Sequence, residues 1–184
     1  MKFIGILLAV LILSGCGSKD AELERAMALR AKLLTSSVTF DVEITADYGS
    51  EIHTFSVYCE GDNQGNLGFR VTAPESIADI TGRIEAGEGK LTFRDTVLAF
   101  PLLAEDQLSP VSSPWIFYTT LRSGYLTSAG MEENLLRLTI DDSYEEDALT
   151  VDIWLDEQDT PIRSEILYDG RRILTLKIEN FTIV

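Results

Sequence analysis

Hydrophobic and polar residues alternate along most of the chain from residue 38 onward, a pattern typical of strands that bury one face. In the clearest run, 38–47, apolar residues occupy every second position between polar ones. Comparable runs predict further strands over 51–60, 67–73, 80–86, 91–93, 96–100, 134–141, 149–156, 161–168 and 171–183. Short strands joined by tight turns indicate an antiparallel meander, and a sheet of roughly nine or ten strands curls or closes.

Two segments depart from this alternation and predict helices. The first, 21–34, follows Asp20, a favourable N-cap residue, and contains strong helix formers without Gly or Pro. Its apolar positions recur at helical spacing and form a stripe of Leu23, Met27, Ala31 and Leu34. We expect this stripe to pack against the domain. The alternative, that it binds the membrane, is less favoured because acidic residues are mixed into the polar face.

The second helical segment lies between strands. Ser113 is suited to cap it and Pro114 to occupy its first turn. The residues that follow are apolar on most sides and include Trp115, Ile116, Phe117, Tyr118, Leu121, Tyr125 and Leu126. Core packing accounts for part of this composition. Because the apolar residues are concentrated here instead of alternating, we predict a plug or lid over the concave face of a curved sheet.

The final hairpin constrains the strand register. Asp169-Gly170 favours a two-residue loop, but that loop would place Ile166 and Leu174 on opposite faces of the sheet. A shift of one residue exchanges the two faces of a strand. We therefore predict a three-residue loop over 168–170, with Gly170 in the left-handed conformation beside a β-bulge.

The N-terminus has the features of a secretory signal. Lys2 is followed by an uncharged apolar run, 3–13, which is shorter than the roughly 20 residues that a transmembrane helix needs. The residues Leu13-Ser14-Gly15-Cys16 resemble the lipobox of bacterial lipoproteins. That resemblance implies a diacylglyceryl group on Cys16, cleavage before it, and a lipid anchor at the extracytoplasmic face of the cell membrane.

This interpretation divides the chain into a signal peptide over 1–15, a short tether over 16–19 and a single domain over 20–184. The length of 184 residues suits one domain. Lys and Arg number 15 against 30 Asp and Glu, which leaves a net charge of -15. A chain this acidic repels phosphate backbones, so we expect no nucleic-acid partner. The same charge suits a basic protein partner.

Residues suited to catalysis or metal binding are sparse. His53 and Cys59 share a strand face, but six strand residues span roughly 20 Å, too far for a dyad or a shared metal. The acidic segment 141–147 lacks the spacing and the glycine of an EF-hand loop, and 62–66 is first of all a turn. Motifs for nucleotide binding, serine hydrolysis and zinc proteolysis are missing. We therefore expect no enzyme activity, metal or cofactor, and a buried, inert thiol at Cys59.

The order of these elements resembles the LolA/LolB-like lipoprotein-carrier superfamily. The segments that carry the resemblance are the helix 21–34 leading into 38–44, the run 69–77 followed by 80–86, then 91–93 and the closing hairpin. The resemblance implies a mainly β (α+β) fold, in which a highly curved antiparallel sheet forms an unclosed half-barrel with an N-terminal amphipathic helix and a short helical plug. It further implies an apolar concave face that shelters acyl chains, and a binding or carrier role without catalysis.

Two functions follow, and the sequence leaves both open. In the first, a lipid or another apolar ligand occupies the concave face, whose lining we predict as Phe40, Val42, Ile44, Phe55, Val57, Phe69, Val71, Ile84, Phe93, Trp115 and Phe117. In the second, the aromatic rings fill the core, and the domain is a surface module that regulates or scaffolds an envelope or spore-wall protein. The predicted anchor favours a local or receptor-like role over shuttling.

Overall fold

The computed structural model describes residues 17–49, 51–78, 80–85, 88–93, 96–100, 103–104, 107–145 and 148–184. These ranges contain two α-helices, α1 (Gly17–Leu33) and α2 (Ser113–Ser123). Short 3-10 turns lie at Glu75–Ile77 and, directly before α2, at Pro110–Ser112. The strands are β1 Val38–Asp47, β2 Ile52–Gly61, β3 Leu67–Ala73, β4 Thr81–Glu85, β5 Glu88–Phe93, β6 Thr96–Phe100, β7 Leu103–Ala104, β8 Gln107–Leu108, β9 Tyr125–Glu132, β10 Leu135–Asp141, β11 Thr150–Leu155, β12 Pro161–Tyr168 and β13 Arg171–Ile183.

Eleven of these strands form one antiparallel sheet in the order β6-β5-β4-β3-β2-β1-β13-β12-β11-β10-β9. The first and last strands of the chain pair at its centre, where Val38 lies opposite Ile183 and Ala46 opposite Leu174. β6 and β9 form the two ends and do not pair with each other, so the sheet is unclosed. The predicted fold class, a mainly β half-barrel with two helices, is confirmed.

The core lies on the inner face of this sheet. Alternate residues of β1, β3, β10 and β13 point inward and belong to one cluster with the buried residues of α1 and α2. Phe40 is central to this cluster, since its ring lies 5.6 Å from that of Phe117 and 5.7 Å from that of Phe181. Strands from both halves of the sheet therefore pack against the same helix.

The strand predictions are confirmed for β1, β3, β6, β12 and β13 at their printed bounds and for β2, β4, β5, β10 and β11 within a few residues. Strand β9 was not predicted, because Tyr125–Glu132 is an edge strand with mostly exposed or half-buried residues and a glycine at position 130. The hairpin of β7 and β8 was also missed, since strands of two residues carry no measurable alternation.

The buried face of α1 differs from the prediction. Residues Ala26, Leu29 and Leu33 are buried, whereas the predicted stripe of Leu23, Met27, Ala31 and Leu34 is exposed. Arg25 and Arg30 flank the buried face and select it, because both guanidinium groups reach into the domain. Arg25 binds Asp159 at 2.8 Å, and Arg30 donates to the carbonyl oxygen of Arg122 at 3.4 Å and to that of Gly124.

The start of α1 also differs from the prediction. The helix begins at Gly17, so positions 17–19, which were predicted as a tether, lie in its first turn.

The closing hairpin corrects the predicted loop. Leu167 pairs with Arg172 and Tyr168 with Arg171, which leaves a two-residue loop, not a three-residue loop over 168–170. Gly170 has a φ of 70°, as predicted, and Asp169 before it has a φ of 48°. The extra residue lies in the strand instead, because the register shifts between Ile166 and Leu167. Because of this bulge, the inward-facing residues Ile166 and Leu174 lie opposite each other although the loop keeps two residues.

Candidate functional site: the plugged concave face

Helix α2 occupies the concave face of the sheet. It starts after Pro110–Ser112 with Pro114 in the first turn, where the missing amide hydrogen costs no helical bond. Its described residues contact the sheet from β10 to β13. Seven of its eleven residues are buried, namely Ser113, Pro114, Ile116, Phe117, Tyr118, Thr120 and Leu121. The predicted plug is therefore present, and it packs directly on the sheet.

Three side chains of α2 tie the plug to the turn between β2 and β3. Trp115 donates its indole hydrogen to the carbonyl oxygen of Gly65 at 3.0 Å, and Tyr118 donates its hydroxyl to that of Asp62 at 2.5 Å. The guanidinium of Arg122 donates to the carbonyl oxygen of Asn63. These donors lie three to four residues apart, on one side of the helix. The plug is thus held to the sheet by polar bonds as well as by apolar packing.

The turn that receives these bonds is itself stabilised by Asp62. Its carboxylate accepts hydrogen bonds from the backbone amides of Gln64 (2.9 Å) and Asn66 (3.0 Å) and from the side-chain amide of Asn66 (2.8 Å). Burial alone would raise the pKa of Asp62, but the hydrogen bonds from Asn66 and Gln64 outweigh it and lower that pKa below its ordinary value. The acidic turn is accordingly a structural Asx turn.

The residues predicted to line a ligand site are brought together by the fold, but they are packed. Eight of them are at most 5% exposed and belong to the core: Phe40, Val42, Ile44, Val57, Phe69, Val71, Ile84 and Phe117. Phe55 and Trp115 are partly buried and pack against that core. The side chain of Phe93, the last residue of β5, lies outside the described part of the structure. In the described region, side chains of the chain itself occupy the concave face.

Two surface clefts lie beside the helices. One, of about 340 Å³, runs along α2 from Trp115 to Ser123 and reaches Tyr125 and Asp142. The other, of about 290 Å³, lies between α1 and the end of β13, near Asp159 and Phe181. Both have polar as well as apolar linings and open to solvent. Of the predicted lining residues, the first cleft includes Trp115 alone, and the second includes none.

The outer face of β1, β2 and β13 is acidic. Asp41 lies directly opposite Glu179 in the register of β1 and β13, and it accepts a hydrogen bond from Asn180 at 2.8 Å. On β2, the hydroxyl of Tyr58 donates to Glu60 at 3.1 Å, and this bond is the main cause of the raised pKa of Tyr58. This face also carries Glu43 and Asp47, and two cations of β13: Lys177, which forms an ion pair of 2.7 Å with Glu179, and Arg172, which donates to Glu165.

A second outer cluster covers β10, β11 and β12. Trp154 is only 4% exposed although it points outward, because two guanidinium groups lie over its ring. Cζ of Arg137 is 5.2 Å and Cζ of Arg163 is 4.3 Å from the ring centroid. Asp152 is buried beside it and accepts bonds of 2.7 Å from both Arg137 and Thr139. Hydrogen bonding to Asp152 raises the pKa of Arg137. Sequence analysis did not identify this cluster, because the alternation in 149–156 places Asp152 among the polar positions and does not show that it is buried. The adjacent Trp154 was the available signal.

The residues considered for chemistry are far apart or engaged. His53 is exposed and bonds Glu51 at 3.2 Å, whereas Cys59 is fully buried, and its burial raises the pKa of the thiol well above its usual range. In the acidic segment, Asp141 accepts from Thr150 and Asp142 from Leu149. The described ranges contain no group of three or more His, Cys, Asp or Glu residues that could hold a metal ion.

The predicted signal peptide and the lipid attachment residue Cys16 lie outside the described residues. Within the described part of the chain, neither helix has the length and apolar composition needed to cross a membrane. The membrane anchor therefore stays a prediction from the lipobox.

Comparison with known proteins found matches among solved structures at low sequence identity. No family model matches this sequence, and no curated protein sequence matches it either. A LolA superfamily protein from Nitrosomonas europaea is 9% identical, with 86% of this chain and 93% of that chain covered and a TM-score of 0.46. The lipoprotein LppX of Mycobacterium tuberculosis is 13% identical over 88% and 93% of the two chains, with a TM-score of 0.41.

A structure of the CwlD amidase from Clostridioides difficile in complex with the GerS lipoprotein also matches, with 12% identity, 92% of this chain and 99% of that chain covered, and a TM-score of 0.45. The structures similar to this chain thus include a protein of the LolA superfamily, the family that the sequence resembles.

Proposed function

We propose that this protein is a non-catalytic, lipid-anchored protein on the extracytoplasmic face of the cell membrane, and that its filled half-barrel binds another protein of the envelope. The observation that carries the proposal is the occupation of the concave face by α2. Phe117 and Tyr118 are fully buried there, and Phe117 contacts Phe40 directly. Protein interiors are close-packed, so acyl chains could enter this region only by displacing the helix.

The bonds between α2 and the β2–β3 turn indicate that α2 is a fixed plug and not a mobile lid. Opening the concave face would break the bonds that Trp115, Tyr118 and Arg122 make to three backbone carbonyl oxygens. It would also expose Phe117 and Leu121, which are fully buried. Each net hydrogen bond contributes about 1 kcal/mol and each large buried side chain about 2 kcal/mol or more, so the closed form is strongly favoured.

The acidic outer face supports a basic protein partner. Asp41 and Glu179 lie opposite each other on neighbouring strands, and the ion pair of 2.7 Å between Glu179 and Lys177 compensates only one of the two carboxylates. Glu43 and Glu60 add to the negative potential of the same face. A surface on which one sign of charge is in excess steers a partner of opposite sign and discriminates against others. The overall charge of -15 also attracts a basic partner.

Native mass spectrometry tests the filled core. Residues 17–184 are purified from cells without detergent, and we expect a single unliganded mass. A species heavier by a few hundred daltons, whose extra mass is released by organic solvent, would instead support the ligand-binding alternative. The matched control is Phe117→Ala, which leaves a cavity beside Phe40 and tests whether the method detects an apolar ligand when space is made for it.

Cross-linking in the source cells tests the partner. A photo-reactive residue is placed at Glu43, on the acidic face, and in a second variant at Tyr144, an exposed residue of the β10–β11 loop that is 83% accessible. We expect a protein adduct from position 43 and none of the same mass from position 144. Equal adducts from both positions, or none from position 43 in cells that contain the mature protein, would contradict an acidic docking face.

A further inference from the structure

Helix α1, together with Leu34, which directly follows it and donates its amide to the carbonyl oxygen of Arg30 at 3.0 Å, presents an apolar stripe that the fold does not cover. Leu23 is 46% exposed, Met27 52% and Leu34 48%. The helix is already held through a different face, on which Ala26, Leu29 and Leu33 are buried. Core packing therefore does not account for three large apolar residues on its outer flank.

The stripe is aligned with the predicted lipid attachment residue. Leu23, Met27 and Leu34 follow Cys16 at spacings of 7, 11 and 18 residues, which are close to two, three and five turns at about 3.6 residues per turn. Gly17, the first residue of α1, directly follows Cys16. Acyl chains attached at position 16 would thus emerge at the end of the helix from which the stripe runs.

The charges around the stripe limit what can cover it. Arg25 and Arg30 turn away from it, because both are bonded inside the domain. The exposed Asp20 and Glu24 on the same helix repel an anionic surface. Lys32 is exposed as well, but on another side of the helix. Apolar insertion beside an existing acyl anchor, and not charge attraction, is therefore the mode that the residues of the stripe allow.

We propose that α1 lies along the surface of the membrane, with Leu23, Met27 and Leu34 inserted at the boundary between headgroups and acyl chains. The proposal rests on the lipid anchor at Cys16, which belongs to the proposed function. Leu23 and Leu34 are 11 residues apart, so the stripe gives a contact about 17 Å long at about 1.5 Å per residue. This second contact fixes the orientation of the domain, which a flexible lipid tether alone would leave free.

Fluorescence in vesicles tests the inference on the full, acylated protein. Met27→Cys is labelled with an environment-sensitive dye and reconstituted into vesicles of phosphatidylcholine and phosphatidylglycerol that contain spin-labelled lipid. The matched control is Lys32→Cys, an exposed position on another side of the same helix. Buried Cys59 does not compete for the dye. We expect at least about twofold stronger quenching, and a blue-shifted emission, at position 27.

The outcomes separate the inference from the anchor. Mass spectrometry of the N-terminal peptide first establishes whether Cys16 is acylated. In acylated protein, equal quenching at positions 27 and 32 would overturn the inference alone. So would a blue shift at position 27 without lipid quenching, which would mean that a second copy or another protein covers the stripe. A chain without the acyl mass would overturn the anchor and the inference together. In the Cys16→Ser variant, we expect the dye at position 27 to remain in water.

Discussion

The hydroxyl of Tyr118 donates a hydrogen bond of 2.5 Å to the backbone carbonyl oxygen of Asp62, and this bond joins the plug helix to the β2–β3 turn. The fit between the two is close. A Cβ atom at Gly61, the residue before Asp62, would lie 2.8 Å from the Tyr118 ring and 2.9 Å from Val38. The turn therefore contributes both an acceptor and the space for the ring that reaches it.

Removing this hydroxyl should weaken the domain without unfolding it. In Tyr118→Phe the ring still packs, but the carbonyl oxygen of Asp62 loses its donor in a part-buried site. We expect the free energy of unfolding to fall by about 1–2 kcal/mol, measured by urea denaturation at constant m-value.

Tyr144→Phe is the matched control, because Tyr144 is 83% exposed. This variant should stay within about 0.5 kcal/mol of the wild type. A loss of equal size in both variants would mean that the bond between Tyr118 and Asp62 contributes nothing specific.

Gly82 lies under an aromatic ring, and a methyl group there should be poorly tolerated. It pairs with Phe69 in the register of β3 and β4, and a Cβ atom added to it would meet Cζ of that ring at 2.1 Å. Because Phe69 is 5% exposed, the ring cannot move aside freely. Gly82→Ala should lower the free energy of unfolding by about 1–3 kcal/mol.

Gly130 provides the comparison, since no described atom lies within 4 Å of the position of an added Cβ. Gly130→Ala should be neutral or slightly stabilising in thermal unfolding. In addition, Phe69→Leu should reduce the cost of Gly82→Ala when the two are combined, which a double-mutant cycle measures. Additive effects would indicate that the ring is not the obstacle.

The sheet was predictable from the sequence because burial of one face imposes a period of two, and that period is visible in 38–47 and 171–183 without tertiary information. The position of the plug was also predictable, since the residues from Trp115 to Tyr118 are apolar at consecutive positions. The resemblance to LolA-like proteins rested on the order of these same elements.

The face of α1 could not be predicted, because two apolar stripes compete on the same helix. Leu23, Met27 and Leu34 are larger, but Ala26, Leu29 and Leu33 form the face that is buried. The choice depends on Arg25 reaching Asp159, a partner 134 residues away in sequence. The residues on the concave face could be predicted from the sequence. Whether α2 leaves space for a ligand beside them depends on packing, which a pattern of residue types does not encode.

Acid should weaken the β2–β3 turn. The pKa of Asp62 is lowered below its ordinary value of 3.8, so its carboxylate stabilises the fold at pH above that value, and this stabilisation is lost as the pH falls through the lower pKa of the folded state. Asp62→Asn removes the charge, so it should cost stability at neutral pH and less in acid. Urea midpoints between about pH 2 and pH 7 measure the difference between the two proteins.

Asn66→Ala checks the cause of this shift, because its side-chain amide donates to the Asp62 carboxylate at 2.8 Å. We expect this variant to flatten the acid dependence in part, as the remaining bonds come from backbone amides. If Asp62→Asn is destabilised equally at every pH, the effect comes from packing of the turn and not from the ionised carboxylate.

Two fully buried serines should respond in opposite directions to loss of the hydroxyl. Ser113 donates to the carbonyl oxygen of Pro110 at 2.7 Å at the start of α2, whereas Oγ of Ser164, inside β12, has no hydrogen-bond partner in the described structure. Ser113→Ala should therefore destabilise the domain by about 1 kcal/mol.

Ser164→Ala removes a buried hydroxyl that makes no hydrogen bond in the described structure. It should raise the free energy of unfolding by up to about 1 kcal/mol, because the cost of removing that hydroxyl from water no longer opposes folding. Paired urea denaturation curves give both values, and a loss at Ser164 as large as that at Ser113 would mean that a bound water satisfies its hydroxyl.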